Sequence, residues 1–318
     1  MSVRDGRRAI LVIKLSSVGN VVLSFDSFTA IRHHHEEAKI TLLTTAPYAG
    51  WMAASPYFDA VWTDHRPAWW NLPGLLRLRR KLIAGRFDRV YDLQSSRRTA
   101  HYCRMLPRAA QPKRPQGDGG SSGSDYELHA AERQVRQLRA AGIDIVPRAD
   151  LDWCSGNLAR FGLPQRFALL IPGCSAHRPG KRWPIERYGA LARALAASGI
   201  VSVALGTASE APLAAEIARA VPVIDLTGKT GFGDIASLAR AAVVAVGNDT
   251  GPMHLIAAAD CPSVVLFSEQ SDPALCAPRG EKVVILRRAS LAALDLGTVH
   301  DAVLTLAASR LVTGPIVP

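Results

Sequence analysis

No apolar run in this 318-residue chain approaches the ~18 residues that a membrane-spanning helix needs, and the opening MSVRDGRR leads into a strand-like run without the long apolar region of a secretory signal. A cytosolic protein, soluble or peripheral, is expected. Cysteine is too sparse for a disulfide framework. The five, Cys103, Cys154, Cys174, Cys261 and Cys276, are odd in number and scattered, with no C-x-x-C pair to suggest a zinc site. No G-x-G-x-x-G follows the first strand-like run, which argues against a nicotinamide dehydrogenase. No recognised nucleic-acid module is present either, so no nucleic-acid partner is expected. Acids are missing from one segment in particular: between Arg66 and Arg114 only Asp88 and Asp92 stand against 13 Lys and Arg, an imbalance equal to the +11 of the whole chain. A local basic face suits an anionic partner such as a phosphorylated lipid or an acidic membrane leaflet, and it also suits a helix face that is merely solvated.

What is present is a regular rhythm of apolar runs. The length exceeds one ordinary domain, and 48% hydrophobic residues suffice for two cores. The boundary is expected near residues 151–156, where a strand-like LDW gives way to a short helix, dividing 1–152 from 153–318. In the first part, strands are predicted over 10–14, 39–45, 60–63 and 89–94, with a helix from the Ser16 to Asn20 turn to about His34, a short helix within 47–56, a basic helix over 72–84 and a helix over 126–141. His33, His34 and His35 point about 100° apart on a helix and cannot share a metal, so they read as a surface helix end. Residues 107–124, rich in Pro, Gly and Ser, read as a mobile loop. In the second part, strands over 167–171, 201–205, 223–226, 243–246, 263–267 and 282–286 alternate with helices over 184–197, 211–220 and 233–241, a helix beginning at Thr250 and a last one over 290–311. Such alternation makes a parallel, doubly wound sheet.

The loops that follow the strands carry the candidate chemistry, because in such sheets ligands bind at the carboxyl ends of the strands. In VVAVGNDTGPMHLIAAA, residues 243–259, a strand turns through Gly247, Asn248 and Asp249 into a helix. Thr250 stands at the cap, and Pro252 is tolerated in the first turn. His254 follows one turn later. An acid, a hydroxyl, backbone donors and an imidazole therefore converge, in a place where a pyrophosphate would fit. A helix cap alone would account for Asp249 and Thr250 equally. The loop PGCSAHRPGKRW offers Ser175, Arg178, Lys181 and Arg182 to an anion. LGTASE ends in Glu210, and LTGKTGFGD places Lys229 and Thr230 at the same edge.

Three of these stretches in order, LSSVGN at 15–20, PGCSAHRPGKRWP at 172–184 and GNDTGPMH at 247–254, resemble glycosyltransferase family 9, the ADP-heptose:lipopolysaccharide heptosyltransferases. The similarity runs from about residue 10 to 287. It implies the GT-B architecture: two Rossmann-like doubly wound domains facing across a cleft, the first on the acceptor side and the second binding the nucleotide sugar, with the last helix packing back on the first domain. It also implies an enzyme, an inverting transferase that needs no metal or cofactor and moves heptose, or a related sugar, from an ADP-sugar to a lipopolysaccharide-core or other anionic glycolipid acceptor. Such a protein would sit in the cytoplasm, at the inner face of the membrane, in peripheral contact with it. No D-x-D of the metal-dependent transferases is found.

By the same resemblance Ser175 and Lys181 hold the donor diphosphate, Glu210 lies near the ribose, and Thr230, Asp249, Thr250, Gly251 and His254 complete the donor site. Ser17, Arg97 and Arg98 fall on the acceptor side. The chain departs from the family at one position. Where the pattern has a general-base Asp, Asn20 stands here, and an amide cannot accept the proton. Asn20 would still serve as a helix cap. Asp92, at the end of a strand, and Asp26, in the first helix, are other first-domain acids. A relative that binds a nucleotide sugar or glycan without turnover is the rival reading.

Overall fold

The computed structural model describes residues 7–112, 127–175 and 177–313, with the side chains of 311–313 left aside. The chain divides into two compact units, one ending at Trp153 and the other beginning at Cys154.

In the first unit β1 (Ala9–Ile13) is followed by α1 (Val18–Val22) and α2 (Phe25–His34), then β2 (Lys39–Thr44), α3 (Ala46–Ala53), β3 (Ala60–Thr63), α4 (Leu72–Ala84), β4 (Arg89–Asp92), α5 (Arg97–Arg104) and α6 (Ala130–Ala140). The strands form one parallel sheet in the order β3-β2-β1-β4. The apolar run of β1 has its explanation here: both edges are paired, Ile13 standing opposite Leu43 on β2 and Asp92 on β4, and the consecutive residues Ile10 to Ile13 are all buried, so both faces are covered and no polar alternation is needed. Leu78 and Leu82 of α4 bury themselves with Leu11, Ile13, Leu43, Phe87 and Tyr102.

The second unit runs β5 (Phe167–Ile171), α7 (Ile185–Ala197), β6 (Val201–Ala204), α8 (Ala211–Ala218), β7 (Ile224–Asp225), α9 (Phe232–Ala241), β8 (Val244–Asn248), α10 (Gly251–Ala258), β9 (Ser263–Phe267), the single turn α11 (Pro273–Cys276), β10 (Val283–Arg287) and α12 (Leu296–Thr313). Its six strands, all parallel, lie in the order β10-β9-β8-β5-β6-β7. The strand order therefore reverses between β5 and β8, as it does between β1 and β4 in the first unit. A crevice opens at the carboxyl ends of such a pair, because the chain leaves the two strands in opposite directions. Gly247 makes the second crevice possible: a Cβ there would stand 2.7 Å from Cβ of Ile171 and 2.8 Å from Sδ of Met253, so only glycine lets α10 start so close to β5.

Several sequence expectations need correction. The 126–141 helix begins at Ala130, and residues 113–126, which include most of the expected mobile loop, lie outside the described residues. The LDW stretch is not a strand, and a 3-10 turn at Ala159–Phe161 is the first helical piece after it. His35 is buried, its Nε2 2.8 Å from the hydroxyl of Tyr91, while His33 and His34 are exposed. Burial and its cationic neighbours push the His35 imidazole down to about 4. The last helix starts six residues later than expected, after a 3-10 turn at Leu291–Ala293, and sends Val299, Val303 and Ala307 into the core of the second unit beside Trp183, Tyr188 and Leu191 of the α7 region.

Candidate functional site

The crevice between β5 and β8 gathers most of the residues that the sequence singles out. Lys181 ends a 3-10 turn (Pro179–Lys181) in the loop after β5, and its Nζ stands 2.5 Å from Oδ2 of Asp249, the residue after β8. Both side chains are about nine-tenths buried. The same oxygen accepts a hydrogen bond from Ser271 Oγ at 2.7 Å, in the loop after β9. One carboxylate thus ties together three loops of the carboxyl edge.

Beneath this pair lies Asn248, fully buried at the end of β8. Its Oδ1 accepts from the backbone N–H of Trp183 at 3.0 Å and the Tyr188 hydroxyl at 3.2 Å, while its Nδ2 donates to the carbonyls of Pro172 at 2.7 Å and Gly173 at 3.3 Å. A loop carrying Pro, Gly and several cations has little apolar surface to anchor it. One amide with two donors and two acceptor lone pairs does so instead. Sequence reasoning treats Asn248 as part of a turn and misses this role; the available signal is an amide that ends an apolar strand. Ser271 is missed as well.

Thr250 occupies the N-cap position of α10 by its extended backbone, but its side chain makes no capping hydrogen bond, contrary to expectation. Gly251 and Pro252 open the helix and His254 is buried one turn in. The amide end of α10 therefore lies beside Asp249. Helix N-termini favour anions.

On the other flank of β5, Glu210 is placed by a capping box: its Oε2 accepts from Thr207 N at 2.7 Å and from the Thr207 hydroxyl at 3.0 Å. The carboxylate lies over Gly173, where an added Cβ would stand 1.6 Å from Oε1, so a side chain at this position would displace the Glu210 carboxylate. Glu210 and the Lys181 loop thus share one edge of the sheet. Thr230 is half-buried just before α9, and Lys229 is engaged with the Asp225 carbonyl at 2.7 Å. Ser175 and Arg178 are exposed, whereas Arg182 reaches the Cys174 carbonyl at 3.4 Å.

The corresponding crevice of the first unit, between β1 and β4, is closed by another amide. Oε1 of Gln94 accepts from the N–H groups of Leu15 at 3.0 Å and Ser16 at 3.2 Å. Asn20 is the third residue of α1, not its cap; Ser17 holds the cap position, and Nδ2 of Asn20 donates to Ser17 Oγ at 3.4 Å. Asp92, buried at the end of β4, accepts from Gln94 N at 3.2 Å and Ser95 N at 3.1 Å. Burial raises its carboxyl above the usual range despite these bonds. Lys14, also buried, donates to the Leu93 carbonyl at 2.8 Å, and desolvation pushes its ammonium down to about 7, with Asp92 opposing that shift. Asp26 accepts from Ala149 N at 2.9 Å, a structural tie. Of the two arginines, Arg97 is exposed at the start of α5, and Arg98 is held by the Pro67 carbonyl at 3.0 Å, the Tyr102 hydroxyl at 3.1 Å and the ring of Trp69, 4.8 Å away.

The model of the family described as glycosyltransferase family 9 (heptosyltransferase) matches residues 122–297, more than half of the chain. Lipopolysaccharide heptosyltransferase 1 of Escherichia coli strain K12 is 25% identical over 305 residues, covering 87% of this chain and 93% of that protein. Lipooligosaccharide heptosyltransferase 2 of Haemophilus influenzae is 33% identical over 115 residues, a match that spans 34% of this chain and 33% of the relative. Among solved structures, a family 9 glycosyltransferase from Veillonella parvula aligns with a TM-score of 0.79 at 20% identity, covering 96% of this chain and 98% of that one. The ADP-heptose lipopolysaccharide heptosyltransferase II of E. coli aligns with a TM-score of 0.73 at 22% identity, covering 95% and 99%.

Proposed function

Because the chain belongs to glycosyltransferase family 9, a family of transferases, we propose that it moves a heptose or related sugar from an ADP-sugar to a lipopolysaccharide-core or related glycolipid acceptor, with inversion at the anomeric carbon. The observation that carries this reading is the Lys181–Asp249 pair at the reversal point between β5 and β8, beside the amide end of α10. A solved E. coli heptosyltransferase of the same fold, aligned with a TM-score of 0.74, holds ADP. In this reading Lys181, Ser175 and the N–H groups at the start of α10 hold the diphosphate, Glu210 and Thr230 meet the nucleoside, and Asp249, Thr250, Gly251 and His254 shape the sugar end.

Chemically, an acceptor hydroxyl attacks the anomeric carbon, its bond to the diphosphate oxygen breaks, and ADP leaves with the electron pair. The transition state is positive at the sugar and increasingly negative on the diphosphate. Lys181 and the α10 amides oppose the second charge in a largely buried setting, where such interactions are strong. Because they supply that positive charge, no metal step is part of this reading. Ser17, Arg97 and Arg98 form the acceptor side, and the cytoplasmic face of an anionic membrane is the place where donor and lipid-borne acceptor meet.

Asn20 favours a second reading, binding of the nucleotide sugar without turnover, because its amide cannot take the acceptor's proton. Incubation with ADP-heptose and a truncated lipopolysaccharide core decides between them. Sugar transfer supports the enzyme; tight binding of the donor with no transfer supports the second reading; and absence of ADP binding overturns both.

A further inference from the structure

Six large apolar side chains are exposed among the described residues, and five of them, Trp69, Trp70, Leu72, Leu76 and Ile83, lie on α4 or just before it. Trp70 is 87% exposed. The helix does not need this surface for folding, because Leu78 and Leu82 already supply its core contacts. At about 100° per residue, Leu72, Leu76 and Ile83 fall into one narrow stripe, roughly a third of a turn away from Leu78 and Leu82. Arg79 and Arg80 border the stripe on its two sides, and Arg77 and Lys81 follow beyond Arg80. No acid interrupts the segment between Asp64 and Asp88.

The surroundings hold the segment in place. Trp69 contacts the Arg98 guanidinium, 4.8 Å from its ring, and the His101 ring, which stands nearly perpendicular to it with centroids 5.1 Å apart, and the Lys81 ammonium lies 4.8 Å over the ring of Trp62. Trp70 therefore projects from a fixed base. Asn71 caps the helix with its side chain, accepting from Gly74 N at 3.0 Å, which sets the direction of α4 directly after the tryptophans.

An aromatic pair, an apolar stripe and a border of arginines without acids are the features of a helix that lies in the plane of a membrane surface. The anionic headgroups match the arginines and the upper acyl chains match the stripe. A hydrophobic protein partner would have to bring acids for four neighbouring cations; a bilayer with anionic lipid brings both kinds of surface at once. We propose that the outer face of α4, with Trp70 leading, docks the first unit on an anionic bilayer and inserts its apolar stripe at the level of the headgroups. The assignment deepens the reading of a membrane-borne acceptor and rests on it for the leaflet alone, since vesicle binding requires neither donor nor turnover.

The test uses the full chain with vesicles of phosphatidylcholine, or of phosphatidylcholine mixed with phosphatidylglycerol, some carrying brominated acyl chains that quench inserted tryptophan. The parent should float with the anionic vesicles and not the neutral ones, and be quenched. A Trp70→Ser, Leu76→Gln, Ile83→Gln variant, unchanged in formal charge, should lose association by about tenfold or more, as expected when buried apolar groups of this size are removed. An Arg77→Gln, Arg79→Gln, Arg80→Gln variant should also bind more weakly, and what binding remains should depend less on salt. All these side chains are exposed, so melting temperature and ADP affinity serve as controls that both variants fold.

Equal binding by the apolar variant and the parent, or equal binding of the parent to neutral vesicles, overturns the proposal. A parent dimer that becomes monomeric in the apolar variant, with no vesicle binding by either, overturns it in favour of a second copy as occupant. Vesicle binding by a parent that fails to bind ADP leaves this proposal standing and removes the transferase reading instead.

Discussion

Nζ of Lys181 and Oδ2 of Asp249 stand 2.5 Å apart with Ser271 Oγ on the same carboxylate oxygen, so the loops after β5, β8 and β9 are joined by one nearly dry ion pair. An incoming diphosphate would share the lysine with Asp249. The pair limits how far the Lys181 side chain can stray, and under the proposed donor-site role it would preset a cation for that ligand.

Lys181→Ala should weaken ADP binding by about 1.5 to 3 kcal/mol, the range for hydrogen bonds to charged groups. It should also lower stability by up to about 3 kcal/mol, because Asp249 then keeps only Ser271 in a buried position. Adding Asn at 249 (Lys181→Ala with Asp249→Asn) should recover much of that stability and none of the affinity. Calorimetry and denaturant unfolding of both variants measure the two effects separately; unchanged ADP affinity in Lys181→Ala would remove the lysine from the donor site.

Asn248→Ala should be among the most damaging single changes in the second unit. It strips partners from the Trp183 N–H and the Pro172 carbonyl in the interior, and each buried group left unpaired costs about 1 to 3 kcal/mol. A loss of at least about 3 kcal/mol is expected in urea unfolding. A loss below about 1 kcal/mol would mean that Asn248 does not anchor the loop.

Lys14 gives a pH dependence with a definite sign. The unfolded chain keeps this proton up to about pH 10.5 and the folded chain only to about 7, so between those values unfolding takes up a proton and stability rises with pH. Below about pH 7 both states are protonated, and the full penalty of burying the charge applies. Lys14→Met should show a smaller rise in unfolding free energy from pH 7 to 10 than the parent does. Identical slopes would mean that Lys14 is solvated or fully compensated by Asp92.

What could be read from sequence, and what could not, follows from the range of the forces involved. Interior parallel strands such as β1, β5 and β9 are continuous apolar runs, and their limits are nearly those expected. The helix α5 is not predicted, because RRTAHYCR carries no large aliphatic residue: its buried face, Thr99, Tyr102 and Cys103, has helical spacing but little apolar signal, and its start is marked by a Ser96–Thr99 capping box. Strand alternation alone puts the loops carrying Lys181, Glu210 and Asp249 at one edge of the sheet. Their connection through Asn248 and Ser271 was not legible, since hydrogen bonds between residues 65 or 22 positions apart leave no local pattern. The same holds for Gln94, which reaches residues 78 and 79 positions away.

The general base is the point on which the function turns. An acceptor hydroxyl is a poor nucleophile until its proton is taken, and a positioned base contributes roughly 10² to 10⁴ in rate. Asp92 is a weak candidate on geometry: its carboxylate is buried at the end of β4 and already accepts from the N–H groups of Gln94 and Ser95, which leaves it little access to a substrate proton. Asn20 is half-buried on the first turn of α1, beside the Ser17 hydroxyl, and an Asp there would keep the same length and could accept from that hydroxyl. Asn20→Asp should therefore raise turnover of a competent acceptor by about 10² to 10⁴ and introduce an acid limb in the pH profile, because the new carboxylate works only when ionised. Stability should change little, since Asn20 is not the cap and its side chain makes one long hydrogen bond. If the parent is already active, Asn20→Asp nearly neutral and Asp92→Asn damaging, the buried acid is the base and Asn20 is incidental. If neither parent nor Asn20→Asp transfers sugar from a donor that demonstrably binds, across a broad range of core acceptors, then the missing carboxylate was not the only missing part, and the protein is a nucleotide-sugar or glycan binder built on a transferase fold.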